Sequence, residues 1–190
     1  ARDTPTLQVP TLWDGGRRLW ESTLIAEYLL ETYDPPPAPA GQPPLAGCLA
    51  RATSAWEDRL LMASVQTLGT AATTVSQLTW TGVGVADNDH LARCAARIGH
   101  LLDWLEGELG EAGSGFFGDA VSAQDIFLAC HLRFIAARPL GINLAPGRHP
   151  RIAALLDRLD RRASFAANPV LWWDPAVTGY DEAGTPLYGG

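Results

Sequence analysis

Residues 9–29 read Val9-Pro10-Thr11-Leu12-Trp13-Asp14-Gly15-Gly16-Arg17-Arg18-Leu19-Trp20-Glu21-Ser22-Thr23-Leu24-Ile25-Ala26-Glu27-Tyr28-Leu29, and this run decides the fold. Val9 to Trp13 is β-prone, with its proline at the start of the run, where a ladder can lose one donor. Asp14-Gly15-Gly16 signals a tight hairpin turn, and Arg18 to Glu21 returns as a second short strand. Ser22 stands where a helix N-cap is expected, ahead of Leu24, Ile25, Tyr28 and Leu29 at helical spacing.

The chemistry of this run suits a short peptide. A cis bond between Val9 and Pro10, which the sequence alone leaves open, would turn the Val9 backbone outward, where its N–H and C=O can pair with an extended chain. Ser22 combines a hydroxyl with the free N–H groups of a helix start, a site for a carboxylate. Glu21 adds an acceptor for an ammonium group. The same local residues also read as an ordinary capped hairpin and helix with no ligand.

Taken together, Val9-Pro10, Leu12, Glu21-Ser22, Ile25 and Tyr28-Leu29 resemble the second half of the thioredoxin-like domain of the glutathione S-transferase superfamily, in a bacterial-type cytosolic form. The resemblance implies an α+β chain, a partial thioredoxin-like domain followed by an all-helical domain. It implies glutathione as co-substrate, held at its γ-glutamyl end by Val9, Pro10, Glu21 and Ser22. It implies conjugation of the glutathione thiolate to a small electrophile, as in detoxification, by a homodimer that needs no metal. A thioredoxin-like domain also carries a βαβ unit before this run, roughly 30 or more residues. Residues 1–8 are too few to supply one, so the Ser, Cys or Tyr that stabilises the thiolate is expected outside this sequence and the catalytic residue is unknown. The fold serves other ends as well: a non-catalytic interaction module, or a glutathione-dependent thiol reductase or isomerase. The residue ending the first strand of the domain discriminates among them.

Composition narrows the classes. The 190 residues are 47% hydrophobic and 18% charged, which describes a globular chain. A net charge of −7 disfavours a nucleic-acid partner, which calls for a basic face. No uninterrupted apolar run is long enough to span a membrane, and no basic-then-apolar segment opens the sequence, so a cytoplasmic protein is expected. Cys48, Cys94 and Cys130 lack metal-ligand spacing and read as reduced, mostly buried thiols. His90, His100, His131 and His149 show no paired spacing, so no metal site is expected.

The remaining chain divides as follows. Residues 1–34 form the half-domain described above, opened by an irregular lead-in over residues 1–8, and residues 35–44 form a proline-rich linker. Residues 45–167 form the helical domain, and residues 168–190 an irregular tail packed through Trp172 and Trp173. Within the domain, Leu45 to about Leu78 reads as a long helix with a kink or break at Thr67, Gly69 and Thr70. In the resemblance this helix lines the dimer interface and the opening above glutathione, which makes Trp56, Arg59 and Met62 substrate-side candidates. Asp87, Asn88 and Asp89 cap a helix through Leu109, whose acidic end (Glu106, Glu108, Glu111) is expected in solvent. After the loop glycines Gly110, Gly113, Gly115 and Gly118, Ser122-Ala123-Gln124-Asp125 is a capping box opening an apolar helix, with Asp125 a buried structural acid. Pro139, Gly141 and Pro146 then break the chain, and His149-Pro150-Arg151 opens a last helix with Arg158, Arg161 and Arg162 facing water.

Overall fold

The computed structural model describes residues 4–6, 9–38, 40–110, 114–138, 140–142, 144, 147–171, 177–180 and 186–188. The expectations for Glu111, Gly113, Pro139, Pro146, Trp172, Trp173 and most of the first eight residues lie outside them.

Strands β1 (Thr11–Asp14) and β2 (Arg17–Trp20) pair antiparallel, with Asp14 opposite Arg17 and Thr11 opposite Trp20. The two-residue connection is Gly15-Gly16, at φ 52° and 80°. Both central residues of this turn need positive φ, which glycine adopts without a Cβ clash. Helix α1 (Ser22–Thr32) follows. It is tied back to the hairpin by Asp14, whose Oδ2 accepts the hydroxyls of Tyr33 at 2.5 Å and Tyr28 at 2.7 Å. Those two donors hold the Asp14 carboxyl below the usual carboxylate range, and the bond to Asp14 raises the Tyr33 phenol. None of the residues of α1 is fully buried, and Leu24 and Leu29 are exposed, as are Val9 and Trp13 beside it.

Residues 45–54 are not helical, contrary to the sequence reading; helix α2 is Ala55–Thr79. Two contacts hold the preceding segment extended and then turned. Ala46 N–H donates to Val121 O and Val121 N–H to Pro44 O, both at 2.8 Å. Asp58 then takes the Arg51 backbone N–H at 2.7 Å and its guanidinium at 3.0 and 2.7 Å, which fixes a turn at Arg51–Ser54. Burial alone would raise the Asp58 carboxyl, but the Arg51 and Ser54 donors outweigh it and lower its pKa.

The expected break in α2 does not form, and the helix runs from Ala55 to Thr79 without interruption. The Thr67 and Thr74 hydroxyls bond back to the Ala63 and Thr70 carbonyls, so these threonines are satisfied within the helix. After a 3₁₀ turn at Val85–Asp87, helix α3 (Asp89–Glu108) starts at Asn88, whose side chain accepts from the His90 and Leu91 N–H groups. Helices α4 (Ala123–Ala136), α5 (Pro150–Asp160) and the short α6 (Ala163–Ala166) complete the bundle. The core sits where α2, α3, α4 and α5 converge, around Val65, Leu68, Leu91, Ile98, Leu128 and Leu155. Each fully buried side chain of this size contributes about 1.5–3 kcal/mol.

The capping box forms as read. Ser122 Oγ accepts the Asp125 N–H at 3.1 Å, and Asp125 accepts the Ser122 N–H at 2.8 Å and the Phe116 N–H at 3.0 Å. Burial pushes the Asp125 carboxyl up, against the pull of those donors.

Three surface expectations are corrected. Glu106 is half-buried and caps another helix, since its carboxylate accepts the Arg151 and Ile152 N–H groups at the start of α5. Arg162 is buried and donates to Pro43 O at 2.7 Å, and Arg158 is half-buried; only Arg161 is exposed. Cys94 is buried, but Cys48 is half-buried and Cys130 exposed, and all three thiols are free. The stretch expected to be irregular carries a hairpin, β3 (Val177–Tyr180) with β4 (Pro186–Tyr188).

Candidate functional site

The hairpin register assembles the sequence-predicted residues. With Thr11 opposite Trp20, Val9 and Pro10 lie at the end of the hairpin remote from the Gly15-Gly16 turn, beside Glu21 and Ser22. The Val9–Pro10 bond is cis, and Val9 is 90% exposed. Among the described residues nothing pairs with the Val9 backbone.

The start of α1 differs from the sequence reading in one respect. Ser22 is not the N-cap; it is the first helical residue, and the cap position belongs to Glu21, at φ 70° and ψ 114°, with no capping bond from its side chain. Glu21 is the one non-glycine at positive φ among the described residues. An L-residue held there costs of order 1–3 kcal/mol, a strain that clusters at ligand sites. The turn at Glu21 is what swings the chain from β2 directly into the helix. The first intrahelical bond runs from Ile25 N–H to Glu21 O. The N–H groups of Ser22, Thr23 and Leu24 therefore precede the ladder and are directed out of the helix end. With the Ser22 hydroxyl they form a donor set for one carboxylate, at the positive end of the helix dipole.

The three substrate-side candidates part company. Trp56 is 82% exposed at the start of α2. Arg59 lies one turn on, its Nη2 3.3 Å from Glu27 Oε1 on α1. Both occupy the end of α2 that adjoins α1. Met62 is 3% exposed, in a small interior cluster with Leu49 and Ala123, and serves packing.

Residues the sequence did not single out join the site from below. Gln66 on α2 donates its Nε2–H to Thr23 Oγ1 at 2.5 Å, and its Oε1 lies 3.3 Å from His131 Nε2 on α4. Burial depresses the His131 pKa and favours the neutral imidazole, which in its Nε2–H tautomer donates to Gln66 Oε1. The available signal was a glutamine at position 66 inside an apolar stripe with Met62, Val65 and Gly69. Nothing in that spacing says that it faces α1.

Among the described residues no three His, Cys, Asp or Glu side chains cluster as metal ligands, and no helix is long and apolar enough to cross a membrane.

Two family models match separate parts of the chain. A model of the glutathione S-transferase N-terminal domain matches residues 1–37, and one of the C-terminal domain matches residues 88–158. Among solved structures, a glutathione S-transferase from Methylobacterium radiotolerans in complex with glutathione sulfonate superposes with a TM-score of 0.69 at 24% identity, over 91% of this chain and 77% of that one. One from Actinobacillus pleuropneumoniae gives 0.62 at 18% identity, over 87% and 69%. Glutathione S-transferase III in its apo form gives 0.60 at 21% identity, over 92% and 79%. A search of curated proteins found no match. The structural likenesses establish the fold, a thioredoxin-type N-terminal portion followed by a helical C-terminal domain. With both domain models matched in order, and together covering more than half of the sequence, the chain belongs to the glutathione S-transferase superfamily.

Proposed function

We propose that this protein binds glutathione at the Val9/Ser22 end of its hairpin–helix unit and conjugates the glutathione thiolate to a small, partly apolar electrophile. One observation carries the reading: an exposed Val9 whose backbone has no partner among the described residues, beside three N–H groups of α1 that precede its hydrogen-bond ladder. An extended peptide pairs with Val9 while its terminal carboxylate takes the Ser22 hydroxyl and the helix-end donors. Glu21 accepts the ammonium group of the same γ-glutamyl moiety. Glutathione presents both groups on one residue. The complex of the Methylobacterium relative with glutathione sulfonate supports the choice of ligand. Trp56 and Arg59, at the adjoining end of α2, supply the side on which the electrophile arrives. The domain division stands with this reading: residues 1–34 carry glutathione, residues 35–44 link, and residues 45–167 face the second substrate. Two copies associate through α2.

Titration of glutathione by calorimetry tests the site. A hydrogen bond to a charged group is worth about 1.5–3 kcal/mol, so Ser22→Ala should weaken binding roughly tenfold or more. Equal affinity for the chain and its Ser22→Ala variant would sink the assignment.

A further inference from the structure

We propose that His131 is a positioning residue which, through Gln66, fixes Thr23 and with it the first turn of α1. The inference rests on the reading of that turn as the carboxylate site, and extends it to Gln66 and His131, which are not among the ligand contacts proposed above.

The geometry is a three-member chain. The neutral His131 imidazole offers its Nε2–H to Gln66 Oε1 at 3.3 Å. Gln66 turns the other atom of its amide, Nε2, to Thr23 Oγ1, which it reaches at 2.5 Å, so one side chain bridges the imidazole and the hydroxyl. Thr23 sits between Ser22 and Leu24, so its side chain anchors the middle of the three helix-end donors. The imidazole is itself confined. It lies against Gly69, where a Cβ would stand 2.2 Å from its Cε1, and tilts against Phe127 at 6.2 Å between ring centroids. The groups facing it are thus Gln66 and Gly69 from α2 and Phe127 from its own helix, none of them charged. The ion pairs on these helices are Arg133–Asp160 on α4, Arg51–Asp58 on α2, and Glu27–Arg59, which bridges α1 and α2 one turn from Thr23 and two from Gln66.

The alternative is that His131 only fills space. His131→Phe separates the two: it keeps a flat ring over Gly69 and removes the donor. Gln66→Met breaks the same chain at its centre with little change of volume. Each should weaken glutathione binding about three- to tenfold, as expected for loss of one neutral hydrogen bond. The double variant should be no worse than the more affected single one, because the chain is already broken. Wild-type affinity in His131→Phe, or additive losses in the double variant, overturns the proposal.

A ligand-free readout keeps this outcome apart from failure of the glutathione site. Amide exchange at Ile25 and Ala26, the first bonded positions of α1, should quicken about three- to tenfold in both variants, with Ile98 in α3 unchanged. Unchanged exchange at Ile25 overturns the proposal whatever glutathione does. Quickened exchange, with no glutathione binding by the wild-type chain, upholds the positioning role and overturns the ligand.

Discussion

Gly69 lies directly beneath the His131 imidazole, so close that a β-carbon on it would meet the ring at 2.2 Å. In sequence, Gly69 between Thr67 and Thr70 looks like a weakness in a helix; in the structure it is the floor of a histidine. Gly69→Ala raises intrinsic helix propensity by about 0.8–1.0 kcal/mol. It also forces the ring off its seat, and overpacking of this kind costs about 1–3 kcal/mol. The net expectation is a less stable protein, measured as a lower urea midpoint at unchanged slope. A midpoint above wild type would mean that the imidazole moves aside at no cost.

How far the sequence reads depends on how far apart the partners are. The hairpin, α1 and the Ser122–Asp125 box were legible because each is defined within a few residues, by turn chemistry, periodicity or capping spacing. The candidate residues Val9, Glu21 and Ser22 were named from the same short run. The start of α2 was not, because the bonds that hold residues 45–54 out of helix run to Val121 and Asp58. Arg162 reads as a solvent-facing arginine until Pro43, 119 residues away, takes its proton donor. Glu106 opposes its own helix dipole and is repaid by the dipole of α5. Glu21 was named as a candidate but not as a positive-φ corner, since no local rule places a glutamate there.

The Ser122–Asp125 box should be sensitive to both of its members. Ser122→Ala removes the acceptor for the Asp125 N–H and should cost about 0.5–2 kcal/mol. Asp125→Asn leaves one carbonyl oxygen for two N–H donors, those of Ser122 and Phe116. A buried donor left unmatched costs about 1–3 kcal/mol, so this variant should be at least as unstable. Urea unfolding of both variants checks the order; wild-type midpoints would show that the box does not form.

Stability should fall with acid partly through His131. Burial lowers its folded-state pKa below the ordinary value of 6.5, so the unfolded chain takes up the proton first. The stabilisation from the neutral ring is complete above about pH 6.5 and declines as pH falls from there toward the folded-state value. Comparing urea midpoints at pH 7.5 and 5.5 isolates the contribution. The drop should be smaller in His131→Phe than in the wild type. Equal drops in the two proteins would mean that the imidazole is not buried in its neutral form.

The last prediction concerns the outward face of α2. Trp56, Leu60, Ala63, Thr67 and Thr70 fall at helical spacing, and all are exposed. The stripe is apolar at one end and short-chained along the rest, so a second helix could approach closely without displacing charge. A stable pairing of two copies would bury about 1,200 Å² or more in total. Light scattering at micromolar concentration should therefore give twice the chain mass of 20.3 kDa. Ala63→Arg tests the surface without touching the core, since Ala63 is exposed and arginine is a good helix former. Two copies would bring two such charges into one apolar seam, where neither has a partner. The variant should scatter as a single chain with its helical circular dichroism unchanged. A dimer that survives the substitution would place the pairing surface elsewhere, and a wild-type chain of monomer mass would remove the pairing altogether.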